Sequence, residues 1–353
     1  MHAVTLACVL ASPEVPSPRV YVAGEGIRTL DPFSDSPSAS ASSSYNASEI
    51  AGSSAAESRR LLAQMRLTWE KELRLFRWHG LADGMRVCEF GCGPGWSTLR
   101  LARALPASSV VCAEPSPPFV DAARSLLQGA GVPPSRARVE LGALPAVGWA
   151  SGTCDFAIAR FVLQHVASPR AALAEVYRTL SPGGVLGVVE SDDMMGGLMD
   201  PLLPALHKPI LALGVRQAAR GGSRFVGRHA ARLLRAAGFE KVEVDAVVAS
   251  SDSDANDSGA SHAAGDDAGE EAGEGAPSGL QGLAASVDVG RFASLVVDGL
   301  LREEELRAAE ESASALLAEP TSLVLTLSLV TLGTRPARGA GDDAPRHRDE
   351  LRQ

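Results

Sequence analysis

Val87-Cys88-Glu89-Phe90-Gly91-Cys92-Gly93-Pro94-Gly95 puts an apolar run, an acid and three alternating glycines into nine residues. The run Met85 to Phe90 reads as a buried strand. Trp96 to Leu105 reads as a helix, with Leu99, Leu101, Ala102 and Leu105 apolar. The glycines between them form a strand-to-helix turn, where missing Cβ atoms permit unusual dihedrals and close approach of a ligand. The helix start beyond the turn presents free N–H groups and the positive end of a dipole. An anionic group, carboxylate or phosphate, is expected there.

The spacing is not the G-x-G-x-x-G of a dinucleotide fold. With Glu89 two residues before Gly91, it resembles motif I of the class I S-adenosylmethionine (SAM) dependent methyltransferases. The resemblance implies that Gly91, Cys92, Gly93, Pro94 and Gly95 wrap the methionine end of SAM and that Glu89 helps hold its amino group. A second apolar run, Ser109 to Ala113, ends in Glu114, nineteen residues after Gly95. An acid at that distance is placed to grip both hydroxyls of a ribose, with Pro115 beside it. Arg138 to Leu141 reads as a third strand, and Ala143 and Leu144 fall where relatives line the adenine. The acid that many relatives carry there is missing, so backbone atoms are the alternative partner.

The likeness continues through a fourth strand, Cys154 to Arg160, with Arg160 and Phe161 at its exit, and a fifth, Val185 to Glu190, after Leu180-Ser181-Pro182-Gly183-Gly184. Upstream, Ser54-Ala-Ala-Glu57 has capping-box spacing and opens a helix with Leu61, Leu62, Met65, Trp69, Leu73 and Phe76 on one face, stopped by Gly80. Tyr45, Glu57, Arg60, Leu61 and Gln64 resemble the lead-in helix of the small-molecule branch of this superfamily, in which the tyrosine and glutamine touch cofactor or cover the site. Gln64 reads equally as an exposed helical residue. Leu233 to Phe239 matches the helix before strand six, and Ser322 to Thr331 has the β-branched character of strand seven.

The implied fold is α/β, a Rossmann-like, seven-stranded, mostly parallel sheet with helices on both faces and its last strand antiparallel. Residues 45–249 and 279–335 are expected to form this one domain, with a lid insertion near 194–222. Residues 1–44 read as a disordered N-terminal segment and 336–353 as a flexible tail. Between them, 250–278 carry eight acids and no Lys or Arg, and read as a disordered acidic insertion. The net charge of −9 therefore belongs almost wholly to that stretch, and the remaining body is nearly neutral.

A near-neutral body argues against nucleic acid as partner. No Asp/Asn-Pro-Pro-aromatic motif and no nucleophilic cysteine follows strand four, which argues against the base-modifying branches. Val4 to Leu10 is too short to span a bilayer, and the acids at 14, 25, 31 and 35 weaken an organellar leader, so a cytoplasmic location is expected. Five cysteines without metal spacing read as inert thiols in a reducing compartment, and no metal is expected.

The expected cofactor is S-adenosylmethionine, and the expected activity is methyl transfer to a small organic acceptor at oxygen, nitrogen or carbon. The sequence leaves the oligomeric state open. His165 at the exit of strand four, and Asp192 or Asp193 beyond strand five, lie at the carboxyl edge of the sheet, where ligands bind. Each reads either as a general base or as a packed, paired residue. The segment from Met194 to Gly222, rich in Met and Leu, suggests an adaptable apolar pocket over the acceptor. A SAM-binding regulatory or scaffold protein without turnover, or an enzyme acting on a macromolecule, remain the alternatives.

Overall fold

The computed structural model describes residues 44–45, 53–195, 197–251 and 289–337. The expected N-terminal segment up to residue 43, the acidic insertion from residue 252 and the tail from residue 338 lie outside the described residues.

Helix α1 (Ser54–Trp78) leads into strand β1 (Arg86–Phe90), helix α2 (Trp96–Ala104), strand β2 (Ser109–Glu114), helix α3 (Pro117–Gly129), and strands β3 (Ala137–Leu141) and β4 (Cys154–Arg160). Helix α4 (Pro169–Thr179), strands β5 (Leu180–Glu190) and β6 (Leu198–Asp200), helices α5 (His207–Ala219) and α6 (Ala230–Ala236) and strand β7 (Glu240–Ser250) follow. Helices α7 (Ala293–Val297) and α8 (Glu303–Ala318) and strand β8 (Leu323–Thr334) close the described chain.

The sheet runs β3-β2-β1-β4-β5-β8, parallel from β3 to β5, with β8 antiparallel to its neighbours. Among the described residues the sheet has eight strands where seven were expected. The extra one, β6, lies inside the expected lid insertion. Leu325 of β8 pairs with Leu198 of β6 and with Ser250 of β7, so those two strands flank β8 on opposite edges. Strand β6 thus continues the edge that β5 occupies further along β8, a short extension too brief to show as a period-2 pattern in the sequence.

Alternation across the strands sends Val87, Phe156 and Ile158 to one face, against Phe76 of α1 and Leu99 and Leu101 of α2. Phe90, Ala157 and Ala159 go to the other face, against Leu173 and Val176 of α4 and Leu233 of α6. With both faces covered, the central strands need apolar residues at nearly every position, which is why they read as unbroken runs. A third cluster, around Leu206, Phe292, Leu295 and Leu316, joins the insertion to α7 and α8.

Two local expectations need correction. The N-cap of α1 is Ser53, whose hydroxyl accepts from Ala56 N at 3.1 Å. Glu57 is not a capping-box partner; it is buried and takes hydrogen bonds from the Tyr45 hydroxyl at 2.8 Å and from Arg60. The cysteines are not all free thiols, since Cys88 and Cys154 form a disulfide with Cα atoms 5.6 Å apart. Neighbouring strands β1 and β4 bring these two within bonding reach, a pairing invisible in linear spacing. Cys92 and Cys112 are free and buried. No helix among the described residues is long and apolar enough to cross a membrane.

Gly95 shows how tightly the central turn is packed. It caps α2 at φ +89°, and a Cβ there would lie 2.6 Å from the Cβ of Ala123 in α3. Gly95→Val is expected to lower unfolding free energy by about 2–4 kcal/mol, combining left-handed strain with overpacking. Urea denaturation measures this; an unchanged midpoint would mean that α3 does not seat against the turn.

Candidate active site

The turn after β1 opens a cavity of about 240 Å³ at the carboxyl edge of the sheet. Gly91 N donates to Ala113 O at 2.8 Å, and Gly93 N donates to Glu114 Oε2 at 2.8 Å, so the loop is tied to the end of β2. The other oxygen of Glu114 accepts from Ser116 N at 2.9 Å. Gly91, Cys92, Gly93, Pro94, Glu114 and Pro115 all line the cavity, joined by Ala143, Leu144 and Val147 beyond β3. Burial raises the Glu114 carboxyl to about 6, against the two backbone hydrogen bonds that favour its charge, with a small push from Glu89.

Two expected cofactor residues lie elsewhere. Glu89 is fully buried and does not line the cavity; its oxygens accept from the Ser97 hydroxyl and, at 2.5 Å, from the Thr98 hydroxyl. It therefore pins the first turn of α2 from below and does not face a ligand. Its pKa is raised by burial, which outweighs those two hydrogen bonds and the attraction of Arg160. Gly95 also stays out of the wall, because its place is against Ala123.

Helix α1 supplies the near wall through Arg60, Leu61, Gln64 and Met65, so Gln64 faces the cavity and not solvent. Arg160 faces it as well, held by Glu72 at 2.7 Å and the Thr68 hydroxyl at 3.0 Å, and stacked 4.7 Å from the ring centre of Phe161. Phe161 has φ 55°, a left-handed conformation that turns the chain out of β4 and into the cavity wall. Tyr45 packs its ring edge-on to His165, centres 5.0 Å apart. Burial and nearby Glu57 push its phenol upward, so it stays protonated and donates.

Of the expected catalytic residues, only His165 lines the cavity. Its Nδ1 lies 3.3 Å from the Ser44 hydroxyl. Burial, then the charges of Arg224 and Arg60, push it down to about 3. Asp192 and Asp193 do not reach the wall. Asp192 is buried against Arg228, and Asp193 binds Arg224, with 2.9 Å between Arg224 Nη2 and Asp193 Oδ1. Both are locked in ion pairs, which removes them from the position of a free base.

The expected apolar cover is instead largely cationic. Leu213, Arg216, Gln217 and Arg220 line the cavity from one face of α5 and its end, at spacings of three, four and seven residues. Arg224 and Arg291 join them. These residues were missed because the segment was read for its apolar composition; the Arg216, Gln217, Arg220 spacing was the available signal.

The donor set fits a nucleoside carrying an amino acid. A side-chain-free loop, a carboxylate at the end of β2 and a small apolar slot at Ala143 and Leu144 succeed one another along the cavity. Trp96 Nε1 and Gln164 Oε1, both from residues that line it, are buried without a hydrogen-bond partner among the described residues. Such atoms are costly unless a ligand or water completes them.

A family model described as a methyltransferase domain matches residues 88–188. The chain is 37% identical over 110 residues to an uncharacterized 37.1 kDa protein in transposon TN4556 of Streptomyces fradiae, covering 31% of each. It is 29% identical over 178 residues to the S-adenosyl-L-methionine-dependent Diels-Alderase iccD of Talaromyces variabilis, covering 49% of this chain and 59% of that one. It is 30% identical over 152 residues to a trans-aconitate 2-methyltransferase of Methylobacterium radiotolerans, covering 43% and 53%. The chain spans 31% to 59% of the length of the curated relatives it matches.

The site geometry makes His165 neutral across the usual working range. Its imidazole resonances, assigned by comparison with His165→Gln, are expected to stay constant from pH 5 to pH 8 in NMR titration. A midpoint near 6.5 would show that the ring is neither dry nor under the influence of Arg224.

Proposed function

Because the domain built on this sheet belongs to the class I S-adenosylmethionine-dependent methyltransferases, we propose that the chain transfers the methyl group of S-adenosylmethionine to a small organic acceptor. Glu114 carries this reading: a carboxylate already braced by two backbone N–H groups, facing the cavity at the end of β2, with lone pairs left for a sugar diol. Gly91, Cys92 and Gly93 would hold the amino-acid end of the cofactor, and Ala143 and Leu144 would flank its adenine. The cofactor supplies an activated methyl group on a sulfonium, so what is asked of the protein is alignment. Orientation of this kind is worth about 7–11 kcal/mol.

Arg160, anchored by Glu72, and Phe161 would shape the boundary between cofactor and acceptor. His165, with its Ser44 partner, would position the acceptor as a neutral hydrogen-bonding group, because a ring held near pKa 3 keeps only one of its two N–H protons at neutral pH. A concave cavity at the strand ends, lined by a few convergent polar groups, favours a small molecule over a macromolecule. Two of the relatives, by their names, act on trans-aconitate, a small acid. Purified protein with methyl-labelled S-adenosylmethionine and an extract of small metabolites provides the direct test. Label in a small product supports transfer, and cofactor binding without label supports a scaffold.

The Glu114 assignment has its own pH signature. A sugar diol donates more strongly to the carboxylate than to the protonated acid, and the ligand-free group ionises near 6. Calorimetric affinity for S-adenosylhomocysteine is therefore expected to fall about tenfold from pH 7 to pH 5. Glu114→Gln should remove that dependence and weaken binding at pH 7 by about 1.5–3 kcal/mol. The stability of the ligand-free chain follows the opposite sign. A carboxyl whose folded pKa is raised contributes its full share below about 4.5 and loses it as pH rises through about 6. A wild-type affinity that is flat with pH would remove Glu114 from the sugar.

A further inference from the structure

The cavity wall carries more positive charge than a methyl donor explains. Arg216, Arg220, Arg224 and Arg291 all face it, while Glu114 is the only carboxylate among the described residues that line it. For Arg216 and Arg224 the paired acids sit behind the wall. Asp298 lies 3.3 Å from Arg216 Nη1, and Asp193 holds Arg224, yet neither aspartate lines the cavity.

The four guanidinium groups come from three places in the chain and are brought together by specific contacts. Arg216 and Arg220 are one turn apart at the end of α5. Arg216 Nη1 donates to the Ser294 hydroxyl at 2.6 Å, which joins α5 to the segment that bears Arg291. Gln217 Nε2 donates to Gln164 O at 2.7 Å, and Arg224 Nη1 lies 3.4 Å from Gln217 Oε1. Arginines near a helix C-terminus complement its dipole, which accounts for Arg220. It does not account for Arg224 and Arg291, which reach the same cavity from outside the helix. Converging guanidinium groups in a partly dry cleft raise a field that favours anions.

We propose that the acceptor carries an oxyanion group, a carboxylate or a phosphate, and that Arg216, Arg220, Arg224 and Arg291 bind it. The proposal rests on the methyl-transfer reading only in naming the ligand an acceptor; the anion site is a property of the wall. His165 adds no charge of its own to this end, because burial first, and then Arg224 and Arg60, push its pKa down to about 3. The oxyanion is an anchor in this arrangement, and the methylated atom is another part of the same small molecule or the anion itself.

The test is calorimetry on the full chain, with and without S-adenosylhomocysteine, titrated with succinate, citrate and glycerol 3-phosphate, and with neutral succinamide and cationic choline as controls. At least one anion is expected to bind while the controls do not. Stronger binding of the carboxylates or of the phosphate ester identifies the group. Arg220→Leu and Arg291→Leu should each weaken that anion by about tenfold or more, with affinity for S-adenosylhomocysteine within about twofold of wild type, which also shows that the variants fold. Equal binding of succinamide, no binding of any anion, or anion affinity unchanged in both variants would each overturn the proposal. If S-adenosylhomocysteine itself fails to bind, the methyl-transfer reading falls, and the titrations in its absence still decide the anion site.

Discussion

Three glycines in five residues have to be side-chain-free for three separate reasons, and the site depends on all three being met together. At Gly91 a Cβ would lie 2.7 Å from a methyl of Val162, so the loop could not pass beneath the exit of β4. At Gly93, with φ +55°, the backbone N–H turns toward Glu114, and a Cβ there would meet, among the described residues, Leu61 at 3.5 Å. At Gly95 the obstacle is α3. Loss of any one of these freedoms displaces a different neighbour, but each displacement moves the same short loop. Pocket, second strand and two helices are therefore coupled through five backbone units.

That coupling explains how the buried acids divide their work. Glu89 and Glu114 end adjacent parallel strands, and both are almost wholly buried. Glu89 spends its oxygens on hydroxyls of the first turn of α2, so it fixes where the helix begins. Glu114 spends one lone pair of each oxygen on backbone N–H groups and keeps the rest toward the cavity. Glu190, at the end of β5, is a third variant: its Oε1 accepts from Leu163 N at 2.6 Å and burial lifts it to about 8, which leaves it protonated at neutral pH. Strand ends along one edge thus carry a structural anchor, a cavity-facing carboxylate and a neutral acid. Sequence position alone gives all three the same appearance.

This is also where the reading of the sequence succeeds and where it stops. Strands β1, β2 and β4 and the helix after the glycine turn fall within a residue or so of their expected bounds, because each is a continuous apolar run or a 3.6-period face closed by a turn residue. Cys92, Gly93, Glu114, Ala143, Leu144, Gln64 and Phe161 meet in one cavity, since their spacing in the chain follows the order of strand ends. What was not legible depends on partners distant in sequence. For Asp192 and Asp193 the choice between a free base and a paired residue is made only when Arg228 and Arg224 are placed against them. The disulfide needs β1 and β4 to be neighbours. The tiny strand β6 exists only because β8 offers it an edge. Arg216 and Arg220 lie in a segment whose apolar composition dominates its reading, and only the packing of α5 turns their face inward.

The cationic wall and the neutral histidine belong to one electrostatic problem. An anion against Arg224 would cancel part of the repulsion felt by a protonated His165, but only the second cause of its displacement, since burial is the first. A ligand that fills the cavity also excludes water, which deepens the burial that is the larger cause of the displacement. Burial thus keeps the ring neutral through binding, against the small upward pull of the anion. Under the proposed reading, then, His165 holds no second proton, and the acceptor best suited to this cavity is one whose attacking atom is nucleophilic without first losing a proton: a carboxylate, a thiolate or a neutral amine. A hydroxyl, which must lose its proton as it attacks, would find in neutral His165 only a weak base, since burial and Arg224 hold its proton affinity down.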